Sequence, residues 1–112
     1  SLKLVLPAIV ECLADGADLL PMVKPQFEVG KDRLGSGGVV RSPDLRAEVT
    51  ADVALFAQTL GLSLRAVTAS PLPGPSGNVE YFLWLVKDAG VTALSPEAVA
   101  EMVAAAVKEG PQ

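Results

Sequence analysis

The chain of 112 residues contains no histidine and one cysteine. Without histidine, Ser-His-Asp and Cys-His catalysis fall away, and so do most zinc sites. The single cysteine, Cys12, can form neither an internal disulfide nor a thiolate cluster. It lies in a helical pattern and reads as core packing, which fits a reducing, cytoplasmic setting. No apolar run reaches the roughly 18 to 20 residues that a bilayer span needs. The opening residues lack a charged lead and a cleavage site, so they do not read as a secretory leader. A formal net charge of −4 argues, taken whole, against a nucleic-acid partner.

Half of the chain is apolar and one fifth is charged, a globular composition sufficient for one domain with a modest core. Residues Leu2 to Val10 already read as core, so the chain is expected to begin inside a domain, as a piece of a longer protein. Its charge is uneven. Residues 24–46 carry Lys24, Lys31, Arg33, Arg41 and Arg46 against Glu28, Asp32 and Asp44, a local balance of +2, while the remainder carries −6. The basic stretch is also rich in glycine, so it is a candidate phosphate-contacting loop as well as a solvated surface loop.

Residues 2–14 carry Leu6, Ile9, Val10 and Leu13 at helical spacing, with Pro7 predicting a kink or a later start and Asp15-Gly16 the stop. Residues 18–24 form an apolar run without alternation, which predicts a strand buried on both faces, weakened by Pro21. A long connection follows over 25–42. Gly30 and Gly35 have the spacing of a phosphate-binding loop, but Ser36-Gly37 stands where Lys-Ser/Thr belongs, which excludes an NTPase. Ser42-Pro43 starts a helix whose buried face is expected to be Leu45, Val49, Val53, Phe56 and Leu60, stopped at Gly61. A strand over 62–70, a loop with Pro71, Pro73 and Pro75, and a strand over 79–86 predict an antiparallel hairpin. Ser95-Pro96 starts the last helix. The order predicts the second half of an open α/β sheet with ligands at the carboxyl ends of its strands.

Two charges stand out against this pattern. Lys24 closes the run Leu19-Leu20-Pro21-Met22-Val23, and Glu80 lies within Val79-Glu80-Tyr81-Phe82-Leu83-Trp84-Leu85-Val86. A lone buried ion is costly, so buried charges are normally paired or neutralised. The topology brings both to one sheet edge, where they form either a structural ion pair, two strand-end charges that reach water, or a catalytic pair.

Three blocks then match a family: Val23-Lys24-Pro25-Gln26-Phe27-Glu28, Gly37-Gly38-Val39-Val40-Arg41, and residues 70–83 from Ser70-Pro71 through Asn78-Val79-Glu80-Tyr81 to Leu83. They resemble the TlyA proteins, the haemolysin-A-type ribosomal RNA 2′-O-methyltransferases, similar in fold to the cell-division-protein-J type. The resemblance implies an α/β, Rossmann-like class I methyltransferase. Residues 1–112 would be the carboxyl-terminal part of its catalytic domain, with the last two strands an antiparallel hairpin and helices on both faces. The cofactor half and an S4-like RNA-binding domain would lie outside this chain. It further implies S-adenosylmethionine as cofactor, ribosomal RNA or ribosomal subunits as partner, cytidine as the modified residue, and a Lys-Asp-Lys-Glu tetrad. The second lysine of that tetrad falls on Lys24 and the glutamate on Glu80.

A free lysine, with a pKa of about 10.4, is no base at neutral pH unless burial or a neighbouring cation favours the neutral amine. Lys24 is therefore expected to be the base or the hydroxyl-positioning group, with Glu80 holding the array. Lys31, Arg33 and Arg41 are the candidate RNA contacts. Ser76 and Asn78 are expected to shape their turn. The competing readings are a non-catalytic module that self-associates through an exposed sheet edge, and a pore-former as the haemolysin name suggests, for which there is no basic amphipathic helix.

Overall fold

The structure is a computed structural model that describes residues 1–112, all side chains except that of Pro75 included. Helix α1 spans Leu2–Cys12, with the Ser1 hydroxyl as its cap. Glu28 reinforces this end: its carboxylate accepts from Ser1 Oγ at 2.6 Å and from Leu2 N at 2.9 Å, a negative charge where the helix dipole favours one. At the other end Lys87 Nζ donates to Val10 O at 2.9 Å and Leu13 O at 2.6 Å. Pro7 sits inside the helix without ending it. Cys12 is exposed, against the expectation of core packing, because it lies off the Leu6–Val10–Leu13 stripe that faces inward.

The run 18–24 is not one continuous strand. It forms β1 (Asp18–Leu19) and β2 (Met22–Val23), with Leu20-Pro21 between them. Pro21 has no amide to donate, yet its carbonyl accepts from Leu83 N at 3.1 Å, so the chain stays on line across the break. The connection 25–42 is likewise not featureless. It holds a short helix α2 (Pro25–Glu28) and two single turns, Lys31–Arg33 and Ser36–Gly38.

Helix α3 spans Pro43–Thr59, its Ser42 cap accepting from Leu45 N at 3.2 Å. Its buried residues are Arg46, Val49, Thr50, Val53, Ala54 and Ala57, while Leu45, Phe56 and Leu60 are only half-buried. The inward stripe is thus rotated from the expected one, toward small residues that let α4 (Pro96–Glu109) and the sheet approach closely. Ser95 caps α4 by accepting from Ala98 N at 3.1 Å.

Strands β3 (Leu62–Ala69) and β4 (Tyr81–Lys87) form the expected antiparallel hairpin. Leu62 to Leu64 pair with Lys87 to Leu85, and Ala66 to Ala69 pair with Trp84 to Tyr81, so Arg65 is an extra residue on β3. Such a bulge shifts the facing of every residue after it, which is why alternation in the sequence fails at Val67. Strand β4 is central: β3 pairs along one side, β1 and β2 along the other, all antiparallel.

The core lies on the Tyr81, Leu83 and Leu85 face of β4, packed with Leu6 of α1, Val53, Ala54 and Ala57 of α3, and Val99 and Val103 of α4. All three long helices contribute to this core. On the opposite face Phe82 is half-buried and Trp84 is 44% exposed, its indole donating to Asp18 Oδ1 at 2.8 Å. Strand β4 is interior by its hydrogen bonds but not by its side chains.

Candidate functional site

The β2–β4 register pairs Met22 with Phe82 and Val23 with Tyr81. Lys24 follows Val23 and Glu80 precedes Tyr81, so both lie just past the end of this pairing. On its other side Glu80 O accepts from Ser70 N at 2.8 Å, so the glutamate is held between the ends of β2 and β3. Three strand ends thus converge where the sequence pattern put the two charges.

The side chains then diverge. Lys24, the residue that precedes Pro25 at the start of α2, is half-buried and lines a shallow pocket with Ser1, Leu2, Met22, Phe27 and Glu28. Pro25 explains its extended backbone, since a residue before proline avoids the helical region. Glu80 is 5% exposed. Its Oε2 accepts from Gln26 Nε2 at 2.9 Å, a buried contact. Among the described residues the ion pairs within 4 Å are Arg33–Glu48 and Arg65–Asp88, so Lys24 and Glu80 do not form one. The carboxylate takes its hydrogen bond from an amide.

Gly74 completes the Glu80 environment. A Cβ on Gly74 would fall 2.5 Å from Glu80 Cδ and 2.9 Å from Oε1, and closer still to Oε2. Its backbone is not in the left-handed region. Glycine is required here for space, because the carboxylate lies flat against the main chain.

Asn78 ties this loop to the glycine-rich one. Its Oδ1 accepts from Val40 N at 2.9 Å and its Nδ2 donates to Gly38 O at 2.9 Å, while its own carbonyl accepts from Gly74 N at 2.7 Å. Asn78 therefore shapes two loops, not its own turn alone.

The three candidate RNA-contacting residues are all exposed, in different settings. Arg33 Nη1 meets Glu48 Oε2 at 2.5 Å, and Arg41 Nη2 donates to Ser36 O at 2.9 Å. Lys31 opens the turn that Arg33 closes.

Sequence reasoning did not single out Gln26, Gly74, Arg46 or Tyr81. Arg46 is 1% exposed; its Nε donates to Tyr81 Oη at 3.1 Å and its Nη1 to Arg41 O at 3.2 Å. It thereby links α3, the end of the glycine loop and the residue next to Glu80. A charge at helical spacing with Val49, Val53 and Ala57 is the signal that would have found it. Gln26 Oε1, Arg46 Nη2 and Thr50 Oγ1 are buried and make no hydrogen bond to a described residue.

A central strand paired antiparallel on both sides, with helices packed against the sheet, fits part of a Rossmann-like methyltransferase fold. Over residues 1–87 the chain matches the model of the FtsJ-like methyltransferases, and it belongs to that family. It is 55% identical over 111 residues to the 16S/23S rRNA (cytidine-2′-O)-methyltransferase TlyA of Mycobacterium tuberculosis, covering 99% of this chain and 41% of that protein. A solved structure called "Putative hemolysin", from Streptococcus thermophilus, superimposes with a TM-score of 0.83 at 38% identity, over 97% of this chain and 39% of that one. The chain thus spans about two fifths of the length of these relatives.

Proposed function

We propose that the protein carrying this chain methylates a ribose 2′-hydroxyl of ribosomal RNA, a cytidine by similarity to its relatives, and does so in the cytoplasm. The observation that supports the reading is that Lys24 and the buried Glu80 adjoin the paired Val23 and Tyr81 in a chain of the FtsJ-like family.

S-adenosylmethionine, when bound, would supply the methyl group. Gly35 is closed by Val39 O and Arg41, and Gly74 by the Glu80 carboxylate, so neither of these two offers it a cradle. Residues 1–112 would instead be the acceptor side of the domain, with the cofactor half and an RNA-binding domain elsewhere in the protein. The free edge of β1 and β2 is where that half would dock.

A 2′-hydroxyl must lose its proton as its oxygen is alkylated. Lys24 stands at the open side of the site with no carboxylate within ion-pairing distance among the described residues. It receives that proton or holds the hydroxyl in line. Glu80 is fixed and out of solvent, suited to orienting its neighbours through short-range charge. Lys31, Arg33 and Arg41 are placed to meet RNA phosphates. No helix among the described residues is long and apolar enough to cross a membrane, so the pore-forming alternative gains no support here.

The test uses the full-length protein, ribosomal subunits and radiolabelled S-adenosylmethionine. Lys24→Ala should abolish methyl transfer while cofactor binding, read by calorimetry, is retained. Turnover near that of the unmodified protein in Lys24→Ala would sink the assignment.

A further inference from the structure

Resting on the reading above, we propose that Gln26 is a positioning residue of the acceptor site, acting through the Glu80 carboxylate. Gln26 is only 8% exposed, and its Nε2 donates to Glu80 Oε2 at 2.9 Å across 54 residues of sequence. Glu80 Oε2 accepts here, so the NH2 end of the Gln26 amide is the end that faces it. The price of that orientation is visible, since Gln26 Oε1 is left buried and unpartnered. A methionine of similar size would fill the space without an orphaned acceptor, so packing does not account for the amide.

The surroundings leave the carboxylate little freedom. Gly74 presses on its Oε1, Cδ and Oε2 side, and the Glu80 main chain is fixed by Ser70. Gln26 closes the remaining side. It also shares the short helix α2 with Lys24, its first flanking residue. One rigid turn therefore delivers both the candidate base and the group that orients the candidate glutamate. The Gln26–Glu80 bond thus ties α2, and Lys24 with it, to the Glu80 carboxylate.

The experiment is a kinetic cycle in the full-length protein with Gln26→Met, Glu80→Ala and the double variant. Gln26→Met should lower thermal stability, since it leaves the buried Glu80 carboxylate without its donor, and leave the KM for S-adenosylmethionine unchanged. It should lower kcat about tenfold or more, the scale of one hydrogen bond to a charged group. In the Glu80→Ala background the same change should alter single-turnover rates less than about twofold, since coupled residues are not additive. If Gln26→Met does not fold, the smaller Gln26→Ala, which removes the donor without adding a charge, should show the same loss of kcat. A kcat within about twofold of normal in an otherwise active enzyme overturns the role of Gln26 alone. So does an undiminished loss in the Glu80→Ala background. An unmodified protein that transfers no methyl group overturns the reading of the site itself, and the role of Gln26 with it.

Discussion

Adding one methyl group at Gly74 tests the site at its tightest point. In Gly74→Ala the new Cβ would lie 2.5 Å from Glu80 Cδ and 2.9 Å from Oε1. Ordinary carbon contacts begin near 3.5 Å, so a displacement of about 1 Å is needed. The backbone at Gly74 is not left-handed, so no dihedral strain adds to the effect. Either the loop retains the clash, at the roughly 1–3 kcal/mol of an overpacked core, or the carboxylate retreats. Retreat stretches its bond from Gln26, and a hydrogen bond to a charged group is worth about 1.5–3 kcal/mol. These are alternative routes and do not add, so Gly74→Ala should destabilise the protein by about 2 kcal/mol, read as a lower urea midpoint at unchanged slope. Methyl transfer should fall with the displaced carboxylate. In a Glu80→Ala background the space is empty, and Gly74→Ala should cost less than about 0.5 kcal/mol. A full 2 kcal/mol loss in that background, or none in the parent, would refute the steric account of Gly74.

Asn78→Ala should release the glycine-rich loop from the hairpin loop. It strands the buried Val40 amide, at a cost of about 1–3 kcal/mol, and amide exchange over residues 36–40 should accelerate far more than in α4. Removing Lys31 or Arg41 should weaken RNA binding and reduce the slope of log affinity against log salt by about one each. Arg33 already meets Glu48, so Arg33→Ala should change the slope less. Slopes unchanged from the parent in all three variants would show that none contacts phosphate.

Local signals in the chain were sufficient for much of the fold. The Ser42-Pro43 and Ser95-Pro96 starts and the Gly61 stop act within one helical turn. The hairpin was legible from its loop, and the meeting of Lys24 and Glu80 at one edge from topology. The rotated stripe of α3 was not legible, because which face turns inward depends on how closely α4 and the sheet can approach. Nor was the break at Leu20-Pro21, where strand pairing tolerates a missing donor on the side that only accepts.

By itself, then, the sequence determined the element order, the hairpin and the edge at which two unusual charges meet, since caps, glycine stops and periodicity act over a few residues. Only the tertiary structure decided what each charge touches. Glu80 is held by Gln26 and seated on Gly74, and Lys24 is left free of it. Partner choice between side chains is set by fractions of an ångström among residues brought together from three loops, and no spacing along the chain encodes that distance.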